Sequence, residues 1–340
     1  MLPARSRSFE GAVVRNEGVA TADTMGAMTA DFDLVVLGDA NPDLVLHGGD
    51  IVPAFGQAER IVEEARLVMG GSGGILACGA AKLGLKVAMA AVVGDDLFGR
   101  FVREELVAAG VDVSALVVDQ ERPTGITVVL SSPEDRAMLT MPGTVGELRG
   151  ALIPPDLLER TRHVHVSSFF LQRRLAEELP DLLDDAHRAG ATTSLDPNWD
   201  PSGGWDGGLL DLLPQVDILM PNAMEAMRLA RISDLTQAIA RLRLSPLVVV
   251  KAGPDGAIAA RAGEVLKIPG VHRQVVDTTG AGDSFDAGFL AGFLAGESLE
   301  RCLMLGSACG TLSTRSTGGT AGQATMAEAL ELVGEMETPS

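Results

Sequence analysis

Basic residues are scarce in this chain. Lys and Arg number 27 against 46 Asp and Glu, a formal net charge of −19 over 340 residues. Such a surface has no basic footprint for nucleic acid or an anionic membrane, which disfavours both as partners. It also repels nucleotides at long range, so a nucleotide site would need a divalent cation and local backbone amides. Cysteine is nearly absent. Cys78, Cys302 and Cys309 are odd in number and form no Cys-x-x-Cys, so neither a disulfide framework nor a zinc site is indicated, and buried thiols in a reducing compartment are expected. No uninterrupted apolar run approaches the ~18 residues of a membrane span. The first residues lack the apolar core of a signal peptide, which makes the cytoplasm the expected location. There is no Walker A motif, and a G-x-G-x-x-G pattern begun at Gly71 or Gly280 ends on Leu76 or Phe285 where its last glycine should stand.

What is present is a globular composition, 46% apolar and 21% charged, on a chain long enough for a large core. Residues 1–30 are polar and unpatterned; they read as a flexible extension, with Met25 or Met28 as candidate true starts. Strands are expected at Asp33–Gly38, His163–Val166, Thr192–Leu195, Asp217–Met220, Leu247–Val250 and Ala257–Ala260. Helical patterns lie between most of them, the alternation of a parallel sheet covered on both faces. His163 and His165 alternate with Val164 and Val166 and are expected to pack against one side of their strand rather than to act in catalysis. Residues 44–69 read as two short strands around a loop. Val113–Val118, Gly125–Leu130 and Ala137–Met141 have β-rich composition, with turns at Glu121–Pro123 and Ser131–Asp135.

One stretch organises the rest: Val275-Val276-Asp277-Thr278-Thr279-Gly280-Ala281-Gly282-Asp283-Ser284-Phe285. It reads as an incoming strand, a glycine-rich turn and a helix bearing Phe285, Phe289 and Phe293 on one face. Gly288, Gly292 and Gly296 recur in that helix; each costs about 1 kcal/mol against Ala, so a closely packed neighbour is expected. Gly280 and Gly282 permit backbone angles that turn several N–H groups one way. At a helix N-terminus these amides can hold an anion without Lys or Arg. Asp283 in the first turn either caps the helix or takes a proton from an attacking hydroxyl. In the second case the stretch is an apparatus for moving a phosphoryl group onto an alcohol.

Asp277-Thr278-Thr279-Gly280-Ala281-Gly282-Asp283 resembles the C-terminal signature of the ribokinase-like (PfkB) family of carbohydrate and nucleoside kinases. Further matches bring the likeness to about residues 33–330. Gly70-Gly71 precedes a helix and Gly94-Asp95-Asp96 follows a strand, as in the family's N-terminal signature; Asp43 follows the first strand; Asn222-Ala223-Met224-Glu225 matches its Asn-x-x-Glu motif; Lys251 to Gly256 resembles its Gly-x-x-Gly turn; Gly318-Gly319-Thr320 resembles its adenine-side loop. Two positions depart from it. Ile75 stands where the family usually has a sugar-contacting Asn, and Asp200, after Asp196-Pro197-Asn198, where it often has an Arg.

The resemblance implies a three-layer α/β domain over residues 31–335 with a mostly parallel sheet and a small β-sheet lid from segments about 44–69 and 115–141. It implies ATP- and Mg2+-dependent transfer to a primary hydroxyl of a small sugar or polyol. Asp283 would be the base and Gly280, Ala281 and Gly282 the anion hole. Asp43, Gly70, Gly71 and Ser72 would bind the substrate, and Lys251, Gly253, Gly256 and Gly318 the nucleotide. Asn222 and Glu225 would organise magnesium, while Asp277 and Thr279 match positions that hold a monovalent cation, K+, in some members. Read from the residues alone, Asn222 is equally an N-cap, Asp43 a turn residue and Lys251 a solvated strand end. Homodimers through the lid occur in relatives. Two alternatives accompany this reading: a nucleoside kinase, against which aromatic content of 4% with no Tyr weighs, and a catalytically silent sugar-binding regulator on the same fold.

Overall fold

Leu34–Leu37, the first strand, is fully buried along its length, because its alternate side chains feed two separate cores. The computed structural model of the chain describes residues 30–49, 51–131 and 136–337. Apart from Ala30, the expected extension over 1–30 lies outside the described residues, as does most of the expected turn at Ser131–Asp135.

In chain order the elements are β1 (Leu34–Leu37), β2 (Asn41–His47), β3 (Glu64–Gly70), α1 (Ser72–Lys82), β4 (Val87–Gly94), α2 (Leu97–Ala108), β5 (Leu116–Asp119), β6 (Ile126–Ser131), β7 (Arg136–Met141), β8 (His163–Val166), α3 (Arg173–Ala176), α4 (Leu179–Arg188), β9 (Thr192–Leu195), α5 (Leu209–Leu212), β10 (Ile218–Leu219), α6 (Ala223–Ala230), α7 (Leu235–Leu242), β11 (Leu247–Lys251), β12 (Ala257–Arg261), β13 (Glu264–Ile268), α8 (Ala281–Leu294), α9 (Leu299–Ser313) and α10 (Met326–Glu337). A nine-stranded sheet runs β13-β12-β11-β10-β9-β8-β1-β4-β5. It is parallel from β5 to β11, with β12 and β13 added as antiparallel edge strands. Leu34 and Val36 pack with Leu76 of α1, Leu106 of α2, Phe289 of α8 and Leu303 of α9. Val35 and Leu37 face Leu183 of α4, Leu229 of α6 and Leu242 of α7. The result is the three-layer α/β architecture that strand–helix alternation implies.

A second sheet of four strands, β3-β2-β6-β7, stands apart from the first. Its register pairs Asp43 with Val68 and Thr127, and Val45 with Arg66 and Val129. Asp96 anchors it to the main body. Its carboxylate caps α2 through the amide of Gly99 (2.8 Å) and accepts from the amide and hydroxyl of Thr124 (2.8 Å each), just before β6. Burial opposes ionisation of Asp96, but these bonds together hold its carboxyl below the usual range.

Four expectations need correction. The strand near 113–118 belongs to the main sheet and not to the lid: it follows α2 and pairs parallel with β4, as the return strand of a βαβ crossover does. Val275 and Val276 form no strand; they are 56% and 58% exposed, and the amides of Val276 and Asp277 donate to the carbonyl of Thr314. Strand β13 was not foreseen. Gly288 and Gly292 meet the expected close neighbour, since a Cβ on Gly288 would lie 2.6 Å from the Leu305 carbonyl oxygen and one on Gly292 3.0 Å from Leu305 Cδ1. Gly296 has open space around it instead, and at φ +77° it ends α8 in the left-handed conformation that helix C-termini commonly use.

Candidate active site

The C-terminal ends of the parallel strands converge, as ligand sites in open α/β sheets require. β1 delivers Asp39, β8 delivers Ser168, β9 delivers Asp196 and Asn198, and β11 ends on Lys251. A ring of polar side chains links these ends to α1 and α8. The Asn198 side-chain amide donates to the hydroxyls of Ser72 and Ser168, the latter at 3.2 Å. Ser72 lies near the Asp283 carboxyl and Ser168 near that of Asp39, and each hydroxyl favours the ionised form of its neighbour. Asp39 accepts from the amide of Gly73 at 3.2 Å. The run of small residues Gly70–Gly74 allows this approach: a Cβ on Gly73 would stand 2.8 Å from the Asp39 carbonyl oxygen.

Helix α8 begins at Gly280, whose φ of +72° is left-handed. A side chain there would be strained and would also meet Gly319 Cα at 2.8 Å. Gly282, expected to share that conformation, lies inside the first turn of α8. The Ala281 amide is taken by the Thr278 carbonyl, whereas the amides of Gly282 and Asp283 find no backbone acceptor among the described residues. Two donors and the positive end of a 14-residue helix therefore face one direction. Asp283, half-buried, has the Ser72 hydroxyl near it. Burial foremost, then the charge of Asp196, pushes its carboxyl up to about 8, a poise suited to accepting a proton near neutral pH.

On the α9 side of this turn is a cavity of about 290 Å3, lined by Lys251, Gly253, Gly256, Thr278, Ala281, Gly282, Phe285 and Gly310 among others. The backbone of the Gly280–Asp283 turn is thus one of its walls. Beneath the turn lies a buried charge cluster. The Lys251 ammonium donates to Asp196 at 2.8 Å and to Asp286 at 2.9 Å, with side-chain exposures of 10%, 7% and 0% respectively. Burial alone would push Lys251 down, but Asp196, Asp286 and Glu225 hold it up. Burial likewise opposes ionisation of Asp196, yet Lys251 keeps it below the usual range. Burial drives the Asp286 carboxyl well up. Lys251 is thus shared between two buried carboxyl groups, and Asp286 Oδ1 has no hydrogen-bond partner among the described residues.

Asp43 is buried in the first turn of lid strand β2, against Gly70, where a Cβ would meet its carboxylate at 2.2 Å; the Asn41 amide donates to it at 3.3 Å. Gly71 precedes α1, with Asn41 and the Asp39 backbone against it. Asn222 and Glu225 form a reciprocal capping box on α6 at 2.9 and 2.8 Å. Burial first and then Asp196 lift Glu225 to about 7. Asp277 accepts from the amide and hydroxyl of Thr279 (2.9 and 2.8 Å) and from the amide of Gly318 (2.8 Å), joining two loops. Gly318 packs against Val68 of β3 and is not among the residues lining the cavity.

Both departures from the family pattern have structural roles. Ile75 is buried beneath Gly280 and Gly319. The Asp200 carboxylate accepts from Ser202 N, Ser202 Oγ and Trp205 N at 2.8, 2.8 and 2.6 Å; burial resists its ionisation, and these bonds hold its pKa low.

Sequence reasoning missed Asp39, Ser168 and Asp286. A signal for Asp286 was available: an acid flanked by Phe285 and Ala287 in an apolar helix needs a buried partner. Ser168, at φ +56°, left no sequence signal. Gln172 was missed too; it is fully buried with neither amide atom partnered among the described residues.

Known proteins resemble the chain over most of its length. It is 33% identical to a fructokinase of Klebsiella pneumoniae across 83% of this chain and 93% of that protein, and 29% identical to a nucleoside kinase of Methanothermobacter thermautotrophicus across 86% and 92%. The structure of Arabidopsis thaliana ribokinase complexed with ribose and ATP superposes with a TM-score of 0.75 at 25% identity, covering 89% of this chain and 98% of that one. A ribokinase II-type protein of E. coli, solved with ATP and Mg2+, shares the fold at a TM-score of 0.80 and 24% identity, covering 89% and 99%. Residues 31–326 match the pfkB family of carbohydrate kinases, and the chain belongs to that family of phosphotransferases.

Proposed function

We propose that the protein transfers the γ-phosphate of ATP to a primary hydroxyl of a small sugar or related polyol. The observation that carries this reading is Asp283 in the first turn of α8, where its own amide and that of Gly282 have no backbone acceptor among the described residues and Gly282 lines the 290 Å3 cavity. ATP would enter that cavity past Gly253 and Gly256, with its phosphates toward the Gly280–Asp283 turn. Asp43 and the Gly70–Ser72 turn would hold the acceptor's hydroxyls under the lid, and Asp283 would take the proton of the attacking one. Main-chain donors aimed at charge that grows during transfer are worth about 3 kcal/mol each in comparable sites.

Among the described residues no group of three or more His, Cys, Asp or Glu side chains forms a metal cage. Magnesium is commonly held by one or two carboxylates together with waters and substrate phosphates. Glu225, with Asn222, would supply the protein's share, and the bound ion would neutralise charge on the phosphates. Asp277 and Thr279, by joining the 277–280 and 318 loops, would make turnover sensitive to K+; equal rates with and without K+ would remove that assignment.

The lid supports a homodimer. Its register sets Leu44, Leu46, Leu67, Val128, Leu130, Leu139 and Met141 on one face of the four-stranded sheet, with Leu139 and Met141 64% and 40% exposed. An apolar sheet face of this kind needs a cover, and a second copy would provide one. Leu139→Glu should then shift the sedimentation coefficient to that of a monomer.

A nucleoside acceptor, which also carries a primary hydroxyl, is the second reading; the Trp199–Trp205 pair favours it. The deciding experiment measures ADP release with D-fructose, D-ribose, 2-dehydro-3-deoxygluconate and adenosine, with and without Mg2+. Acceptor-dependent, Mg2+-dependent ADP formation matched by a phosphomonoester product is expected. ADP formation indifferent to every acceptor would contradict the proposal.

A further inference from the structure

The chain has no Tyr, ten Phe and two Trp, yet both tryptophans stand together at one place. Trp199 and Trp205 meet edge to face at 5.2 Å and 90°, Phe170 meets Trp205 at 5.5 Å, and Phe169 meets Phe170 at 5.3 Å. Three of these rings are largely withdrawn from solvent, and Trp199, 54% exposed, presents the one open indole of the group. Trp199 directly follows Asn198, whose side-chain amide closes the ring through Ser72 and Ser168 to Asp283 and Asp39, and its own amide donates to Asn198 Oδ1 at 2.8 Å. The Trp199 backbone is thereby tied to the residue whose side chain bridges Ser72 and Ser168.

The backbone around it is strained. Of six non-glycine residues with positive φ among the described residues, three are Ser168 (φ +56°), Asn198 (+55°) and Trp205 (+51°). A bulky residue in that region is an outlier that the surroundings must enforce. Here the enforcing group is Asp200, which takes the amides of Ser202 and Trp205 and so sets Trp205 behind Trp199. The acid that stands where relatives often have an Arg thus builds a brace for an aromatic surface instead of offering a cation.

We propose that Trp199 is a specificity-determining residue on which the acceptor stacks a flat, uncharged face, a nucleobase or the C–H face of a sugar ring. Trp205 and Phe170 fix its orientation. Acceptors bearing a phosphate or carboxylate are disfavoured, because the Lys251 cation is already engaged by Asp196 and Asp286 and Asp200 supplies no counter-charge. This inference rests on the kinase reading for the identity of the ligand, but part of its test does not need turnover.

With no Tyr, intrinsic emission excited at the indole band comes from Trp199 and Trp205 alone, and the part of a change that Trp199→Phe removes reports on Trp199. Adenosine, D-fructose, ribose 1-phosphate and 2-dehydro-3-deoxygluconate are titrated separately without nucleotide into the parent, Trp199→Phe and Trp199→Ala proteins, and steady-state rates are measured with ATP. A saturable emission change is expected with adenosine or D-fructose, whichever is the better acceptor, and it should vanish in Trp199→Phe. Trp199→Ala should raise KM for that acceptor by roughly 10-fold or more, the effect of losing one aromatic stacking contact, with KM for ATP and kcat within about two-fold. Trp199→Phe should recover most of the loss. An emission change without turnover would leave the platform standing and remove the kinase reading. An unchanged acceptor KM in Trp199→Ala, preference for either anionic compound, or no emission change with any of the four would overturn the platform itself.

Discussion

Replacing Asp283 by Asn should make the protein more stable, and by an amount that depends on pH. The carboxyl is pushed from near 3.8 up to about 8 by burial and by Asp196. Between those values the folded protein keeps a proton that the unfolded chain has released. Each rise in pH across the window therefore favours unfolding of the parent protein. Asn carries no such proton, and its amide fills nearly the same volume beside Ser72. A carboxyl that retains its proton from pH 3.8 to 7.5 corresponds to a ceiling of roughly 5 kcal/mol at 1.4 kcal/mol per pH unit. Asp283 is partly exposed, so solvent screening lowers the expectation to roughly 1–3 kcal/mol. At the usual unfolding entropy per residue this is a rise in melting temperature of roughly 2–5 °C. The assay is thermal unfolding of both proteins, without nucleotide, from pH 5 to pH 8.5. The advantage of Asp283→Asn should be small at pH 5, grow towards pH 8 and then level off. A pH-independent difference, or a less stable variant at pH 8, would refute the reasoning and with it the assignment of a desolvated, poised carboxyl.

Further outcomes follow from the same geometry. Lys251→Met leaves Asp196 and Asp286 buried without their cation and should cost about 3–5 kcal/mol in urea unfolding at pH 7.5; adding Asp286→Leu should recover part of it, and no recovery would mean that Lys251 acts mainly by packing. Gly280→Ala forces a Cβ into left-handed backbone 2.8 Å from Gly319 and should lower stability by about 1–2 kcal/mol. It should also reduce kcat/KM by at least about 10-fold by turning the Gly282 and Asp283 amides, as steady-state rates would reveal. Gly288→Val would meet the Leu305 carbonyl at 2.6 Å and should destabilise the α8–α9 contact by about 1–3 kcal/mol, read by chemical denaturation.

The parallel core was legible because its periodicities are local. His163–Val166 and Thr192–Leu195 were placed to the residue, since continuous burial selects β-branched runs and short turns bound them. The turn into α8 was legible for a related reason: Gly280 must adopt a backbone that few other residues tolerate. What escaped depended on tertiary partners. Val275 and Val276 have strand composition but no neighbouring strand, and the amides of Val276 and Asp277 go to the Thr314 carbonyl instead. Lys251 at a strand end reads as solvated until Asp196 and Asp286 are brought to it from 55 and 35 residues away. His163 and His165 were expected to pack, and they do so at full burial. Beyond that, they share Ser194 Oγ at 2.7 Å each, a pairing that only the adjacency of β8 and β9 creates. Trp199 escaped for the same reason, because nothing near it in sequence says that its indole will meet Trp205 and its amide Asn198.

The most direct test of the central claim is the turnover of Asp283→Asn with saturating ATP, Mg2+ and the best acceptor from the panel, alongside acceptor affinity measured without nucleotide. The carboxyl is assigned to remove the acceptor's proton during transfer, so kcat should fall by about 10²–10⁴-fold while acceptor binding stays close to that of the parent. A variant that binds normally and turns over near the parental rate would contradict the account.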